Sequence, residues 1–225
     1  MKSFQNLGLS RELTKAVELI GFETPTPIQE KAIPVLLKGN RDFIGLAQTG
    51  TGKTAAFGLP LLELVDAQLK TTQALILAPT RELGLQIVSD LENFTENFKA
   101  LNIVAIYGGA SISEQIRKVK RGAQIIVATP GRLIDMLGRK AVNLSTIRFV
   151  ILDEADEMLN MGFKDDIDKI LAKTPQEKIT WLFSATMPAD IAELARTMLK
   201  DPAKVAVTPV ASTAERIAQR VVHVD

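Results

Sequence analysis

The sequence predicts an α/β fold, an open and mostly parallel sheet with helices on both faces. Three observations lead there. Short apolar runs recur along the chain, a segment of helical character follows each, and the runs are apolar at every position rather than at alternate ones. A strand with one face in water alternates polar and apolar residues, whereas a continuous apolar run suits a strand buried between two helical layers. Strand and helix in alternation build a parallel sheet through right-handed crossovers.

The elements follow in order. Helical periodicity covers Glu12–Ile20 and returns over Ile28–Leu37, with the turn Thr24-Pro25-Thr26-Pro27 between them. Pro27 fits the first turn of the second helix, where its missing N–H leaves no bond unmade. Strands are expected at Asp42–Leu46, Ala74–Ala78, Ile103–Tyr107, Ile125–Ala128, Phe149–Leu152 and Thr180–Phe183. From about Thr208 the composition shifts: 208–213 reads as a linker and Val221–Val224 as the start of another strand. The expected organisation is an N-terminal segment over 1–38 packed on the core, a core domain over 39–207, and a linker leading into a second domain over 208–225.

Composition removes several function classes. The chain has 225 residues, 46% hydrophobic and 24% charged, which suits a sizeable core and argues against disorder. It has no cysteine, so disulfide frameworks, thiol catalysis and Cys-ligated metal sites are excluded. The single histidine, His223, excludes any site needing two. A formal net charge of +1 gives no global positive field, so any nucleic-acid contact must be local. No apolar stretch reaches the roughly 18 residues of a membrane span, and polar Lys2-Ser3 follows Met1. A soluble, cytoplasmic, monomeric protein with no membrane partner is expected.

Ligands of open parallel sheets bind beyond the carboxyl ends of the strands. Here those ends carry Ala47–Thr54, Pro79–Leu83, Gly108–Ser111, Thr129–Arg132, Asp153–Asp156 and Ser184–Pro188. Most of these residues are small, hydroxylic or charged, and helix starts with free N–H groups are ready anion sites. One phosphate-rich ligand, or two, is expected along this edge.

The first loop ends in Gly52-Lys53-Thr54, the tail of the phosphate-loop pattern, with Ala47 in place of its first glycine. Gly50 and Gly52 let backbone N–H groups wrap phosphates, Lys53 would reach the outer ones, and the Thr54 hydroxyl would bind Mg²⁺. Asp153 ends the apolar run Phe149–Leu152, where a second magnesium-holding carboxylate is needed, and Glu154 is placed to polarise water. Alone, an Asp-Glu pair is an ordinary acidic helix start. Together with Lys53 and Thr54 it points to nucleoside triphosphate chemistry.

At this point the chain resembles the DEAD-box ATP-dependent RNA helicases. Asp153-Glu154-Ala155-Asp156 is the motif that names the family, and Ala47–Thr54 is similar to its motif I. Pro79–Gln86 resembles motif Ia, with Gly84 where alanine is usual; Gly108-Gly109 and Thr129–Arg132 resemble the GG and Ib motifs, and Ser184–Thr186 resembles motif III. Gly21-Phe22, Thr24–Pro27 and Gln29 resemble the Q motif, with the upstream aromatic at Phe4.

The resemblance implies a RecA-like P-loop NTPase domain, with ATP and Mg²⁺ as cofactors. It implies nucleotide contacts from Phe4, Phe22, Thr24, Gln29, Gln48, Thr49, Gly50, Thr51, Gly52, Lys53 and Thr54. Magnesium would sit on Thr54 and Asp153, with Lys53, Asp153 and Glu154 catalytic. Gln29 would read the adenine edge, as an amide that donates and accepts can, with Phe4 stacking. Pro79, Thr80, Arg81, Gly108, Gly109, Thr129, Pro130, Gly131 and Arg132 would meet RNA. Hydroxyls, N–H groups and arginines suit a sugar–phosphate backbone and would not read bases. Asp156, Ser184 and Thr186 would couple nucleotide state to closure against a second RecA-like domain in the same chain. That domain carries the family's catalytic arginines, so the present chain alone is expected to be nearly inactive. A related ATPase acting on DNA and a nucleotide-gated clamp without turnover are the alternatives. The basic cluster Arg117, Lys118, Lys120 and Arg121 is as well explained by solvation at a helix end as by RNA. Asp165, Asp166 and Asp168 read as a solvated face, Trp181 as core and His223 as incidental.

Overall fold

A computed structural model describes residues 3–95 and 100–207. Its sheet has seven strands, all parallel, in the order β3-β4-β2-β5-β6-β1-β7. The strands are β1 Phe43–Leu46, β2 Ala74–Leu77, β3 Ile103–Ile106, β4 Ile125–Ala128, β5 Phe149–Leu152, β6 Ile179–Ser184 and β7 Ala203–Ala206. The helices are α1 Arg11–Leu19, α2 Pro27–Leu36, α3 Lys53–Leu64, α4 Arg81–Thr95, α5 Ile112–Lys120, α6 Pro130–Gly138, α7 Ala155–Asn160, α8 Lys164–Leu171 and α9 Ala189–Met198. A short 3₁₀ turn, Phe4–Leu7, precedes them.

Each continuous apolar run feeds two cores. Phe43, Ile76, Phe149, Ile151, Trp181 and Phe183 face a cluster closed by α1 to α4. Their sequence neighbours Ile44, Leu75, Leu77, Val150, Leu152 and Leu182 face a second cluster closed by α6 to α9. Successive strand residues point to opposite faces, so a strand covered on both sides is apolar at nearly every position, the buried Thr180 and Ser184 of β6 being exceptions. α3 is buried along most of its length, because α2 and α4 flank it while the sheet lies beneath. Phe4, Leu13, Ile28 and Ile33 belong to the same cluster as Phe43 and Phe57, so the N-terminal segment shares the domain's core.

The structure adds β7, which the sequence reading did not include. It pairs with β1 at the sheet's edge, and its residues alternate between half-buried and exposed. Buried Asp42 secures that edge: its carboxylate accepts from Thr180 N–H at 2.7 Å and Lys200 N–H at 2.6 Å. The linker and strand expected over 208–225 lie outside the described residues. Among the described residues no helix is long and apolar enough to cross a membrane.

Candidate active site

The parallel sheet brings the predicted loops to one edge, and the strand order divides them into two halves. β5, β6 and β1 carry the acidic pair, Ser184–Thr186 and the phosphate loop, while β3, β4 and β2 carry the two arginines and the paired glycines.

In the first half, the chain leaves β1, turns through 47–52 and enters α3 at Lys53. Gly50 and Gly52 have φ of +79° and +89°, a region open to glycine at little cost. A Cβ on Gly52 would overlap the side-chain amide of Gln29. That amide is fully buried; its Nε2 donates to the Gly52 carbonyl at 3.1 Å and its Oε1 accepts from Thr26 N–H at 2.9 Å. Gln29 therefore fixes the loop to the start of α2.

Lys53 Nζ lies 3.9 Å from Asp153 Oδ1, and the two side chains are 5% and 3% exposed. The separation is too long for a hydrogen bond, and the ammonium has no hydrogen-bond partner among the described residues. Burial pushes the Asp153 carboxyl up to about 6, assisted by the Glu154 and Asp156 charges and opposed chiefly by Lys53. Asp153 Oδ1 also accepts from Glu154 N–H at 3.0 Å.

Glu154 is a non-glycine residue at φ +51°, ψ +52°, a left-handed conformation that costs on the order of 1 kcal/mol. Its Oε1 accepts from the Thr49 hydroxyl at 3.0 Å, so the acidic loop after β5 touches the phosphate loop after β1. Two residues on, Asp156 Oδ2 accepts from the N–H and the hydroxyl of Thr186 at 3.0 and 2.8 Å. Burial raises the Asp156 pKa, but these bonds, with the nearby Ser184 hydroxyl and Ala185 N–H, hold it below the ordinary value.

A cavity of about 400 Å³ opens over the loop. Of the expected nucleotide residues its lining includes Phe22, Thr49, Gly50, Gly52, Lys53 and Thr54, together with Asp153 and Glu154, but not Phe4, Thr24, Gln29, Gln48 or Thr51. Gln48 and Thr51 instead close a turn, the Thr51 hydroxyl donating to the Gln48 carbonyl at 2.6 Å. Phe4 departs from its expected place as a stacking surface. It is 1% exposed, packed edge-on against Phe22 at 6.1 Å, so the rings that line the cavity are Phe22 and Phe94. The sequence reading missed Gln86, Asp90 and Asn93, which line the same cavity from α4. Their spacing of four and three residues puts them on one helix face, a signal legible in the sequence. Burial raises the pKa of Asp90.

In the second half, Arg81 lies over the Tyr107 ring, 4.8 Å from its centroid. Arg132 Nη1 donates to the Ala110 carbonyl at 3.1 Å, and Thr80 Oγ1 accepts from Leu83 N–H at 3.2 Å, capping α4. Gly108, Gly109 and Gly131 are exposed, Thr129 is half-buried, and Pro79 and Pro130 are buried beneath them.

This arrangement has counterparts among known proteins. A sequence model of the DEAD/DEAH box helicase family matches residues 26–194. The chain belongs to that family. RNA helicase CrhR of Synechocystis sp. is 52% identical over 99% of this chain and 44% of its own length. ATP-dependent RNA helicase DeaD of Escherichia coli is 46% identical over 96% of this chain and 34% of its own. Among solved structures, a DEAD box protein from the hyperthermophile Methanococcus jannaschii superposes with a TM-score of 0.88 at 43% identity, over 92% of this chain and 56% of that one. This family member thus spans less than half the length of these curated relatives.

Proposed function

We propose that this domain binds Mg·ATP at the edge of β5, β6 and β1 and the RNA backbone at the edge of β3, β4 and β2. In the protein with its second RecA-like domain, ATP hydrolysis would drive local separation of RNA strands. One observation carries the nucleotide reading: a buried ammonium, Lys53, without a hydrogen-bond partner among the described residues, at the mouth of a loop whose glycines hold positive φ. A buried charge left in this state is costly unless a ligand completes it.

The donor set also fits magnesium. Among the described residues no group of three His, Cys, Asp or Glu side chains gathers as a metal cage. Magnesium does not need one, because it takes one or two protein oxygens and completes its shell with phosphates and water. Thr54 and Asp153 would hold it, and when bound it supplies positive charge at the phosphates. Lys53 binds the outer phosphates and neutralises their charge. Glu154, once Thr49 releases it, orients a water and accepts its proton. Asp156 and Thr186 link the acidic loop to the loop after β6 and so pass occupancy towards the second domain. Phe22 offers the base an aromatic wall, and Gln29 sets the loop that cradles the phosphates.

Among the described residues the cavity lining holds one cation, Lys53. A missing arginine finger costs about 10³–10⁵ in rate, so in this reading the isolated domain turns ATP over very slowly and unwinds nothing. Cytoplasmic action belongs to the same reading, ATP and RNA being together there.

Glu154→Gln in the two-domain protein is the test. It is expected to keep ATP binding and abolish hydrolysis. A nucleotide-gated clamp would have no hydrolysis to lose, and an enzyme acting on DNA would be stimulated by DNA at least as well as by RNA.

A further inference from the structure

Gln115 of α5 is 5% exposed and sits below the loop that follows β3. Its Oε1 accepts from Tyr107 N–H at 3.3 Å and its Nε2 donates to the Tyr107 carbonyl at 3.0 Å. These two bonds fix the amide's orientation, since the reversed amide would set N–H against N–H and oxygen against oxygen. The same Oε1 accepts from Arg132 Nη1 at 3.5 Å, while that nitrogen also donates to the Ala110 carbonyl. The Tyr107 ring in turn lies under the Arg81 guanidinium. One buried amide therefore holds the backbone that carries Tyr107 into Gly108-Gly109, one arginine directly, and the other through the ring.

Besides Gln29, two further buried glutamines grip loop backbone in the same fashion. Gln73 accepts from Asp66 N–H at 3.0 Å and donates to the Asp66 carbonyl at 2.7 Å. Gln124 accepts from Asn102 N–H at 2.9 Å and donates to the Ala67 carbonyl at 3.3 Å. Both lie just before the starts of their strands, on the opposite edge of the sheet from the chemistry. Gln115 differs in lying at the carboxyl edge and in reaching an arginine.

We propose that Gln115 is a positioning residue for RNA, presenting Arg81, Arg132 and the Gly108-Gly109 turn as one preformed backbone-binding surface. The proposal rests on the reading that this edge binds RNA. Long cationic side chains lose rotamer freedom on binding, and a surface held in its bound shape loses less. Gln115 itself need not touch the ligand.

The experiment uses the full-length protein with a non-hydrolysable ATP analogue and a fluorescein-labelled single-stranded RNA. Gln115→Met, close in volume and unable to hydrogen-bond, is expected to weaken RNA binding by about twofold to tenfold, the worth of one net hydrogen bond. Affinity for the ATP analogue is expected to stay unchanged. In an Arg81→Ala/Arg132→Ala background the same substitution is expected to cost clearly less than in the native protein, because two of the three groups it positions are gone and only the Gly108-Gly109 turn remains. Unchanged RNA affinity in the otherwise native protein overturns the proposal while leaving the RNA face intact. An equal loss in the double-arginine background also overturns it. If the arginine substitutions themselves leave RNA binding untouched, the RNA face is wrong and the proposal falls with it. Gln115→Glu, which keeps the Oε1 acceptor and sets an oxygen against the Tyr107 carbonyl, repeats the test if the methionine variant unfolds.

Discussion

The side-chain amide of Gln29 donates to the carbonyl of Gly52 at 3.1 Å, a bond across 23 positions of sequence that ties α2 to the phosphate loop. Gln29→Ala would leave the half-buried Thr26 N–H without its acceptor and the Gly52 carbonyl with only its bond from Ala56 N–H. A loss of about 1–3 kcal/mol in stability is expected, with weaker ATP binding; thermal unfolding and nucleotide titration measure the two. Gly52→Ala should do comparable harm, because its Cβ would overlap the same amide at a φ unsuited to alanine. The double substitution should cost less than the sum, since Gln29→Ala removes the amide that the new Cβ would overlap.

Lys53→Met removes the buried ammonium and leaves Asp153 without its nearby opposite charge. The affinity for ATP is expected to fall by about 2–5 kcal/mol, the penalty typical of breaking a buried charge contact. In the empty protein Asp153 should hold its proton to still higher pH. Carboxyl titration followed by NMR, with nucleotide binding by calorimetry, checks both.

The pH dependence of stability has a definite sign. Burial lifts the Asp153 carboxyl to about 6 in the folded state, above its ordinary value of 3.8. Between these values the folded chain keeps a proton that the unfolded chain has released. This contribution to stability is complete below 3.8 and lost as pH rises through about 6. In metal-free buffer, Asp153→Asn should remove that step, while leaving Lys53 buried without its nearby opposite charge. Unfolding midpoints across the range, measured with a chelator present, decide it.

Asp42→Ala is expected to loosen the edge of the sheet. It deprives the N–H groups of Thr180 and Lys200 of a charged acceptor, and bonds of that kind are worth about 1.5–3 kcal/mol each. Urea unfolding should show the loss, and hydrogen exchange should rise first in β7.

Much of this was legible in the sequence, for a physical reason. Strands such as Ala74–Leu77 and Phe149–Leu152 are covered on both faces, so burial is written into every residue of the run. β7 is an edge strand with half its surface in water, and Ala203-Lys204-Val205-Ala206 looks like loop when read alone. The loop residues that ring the cavity were legible because phosphate chemistry restricts them to glycine, lysine and hydroxyls. Phe4 was harder: an aromatic beside a nucleotide motif can stack on a base or fill a core, and only the packing of Phe22 and α1 across it distinguishes the two. Gln115 carries no composition signal, since its role arises from three elements meeting in space.

The neighbours of β1 bear on how the molecule is made. The strand that launches the phosphate loop occupies 43–46, yet its two hydrogen-bonded partners are β6 at 179–184 and β7 at 203–206. A ribosome threading this chain out releases the loop more than a hundred residues before its supports, as about 130 positions separate β1 from β6. The early segment waits unpaired while β2, β4 and β5 can already associate, so the proposed capacity to hold a triphosphate is acquired only once β6 and β7 have emerged.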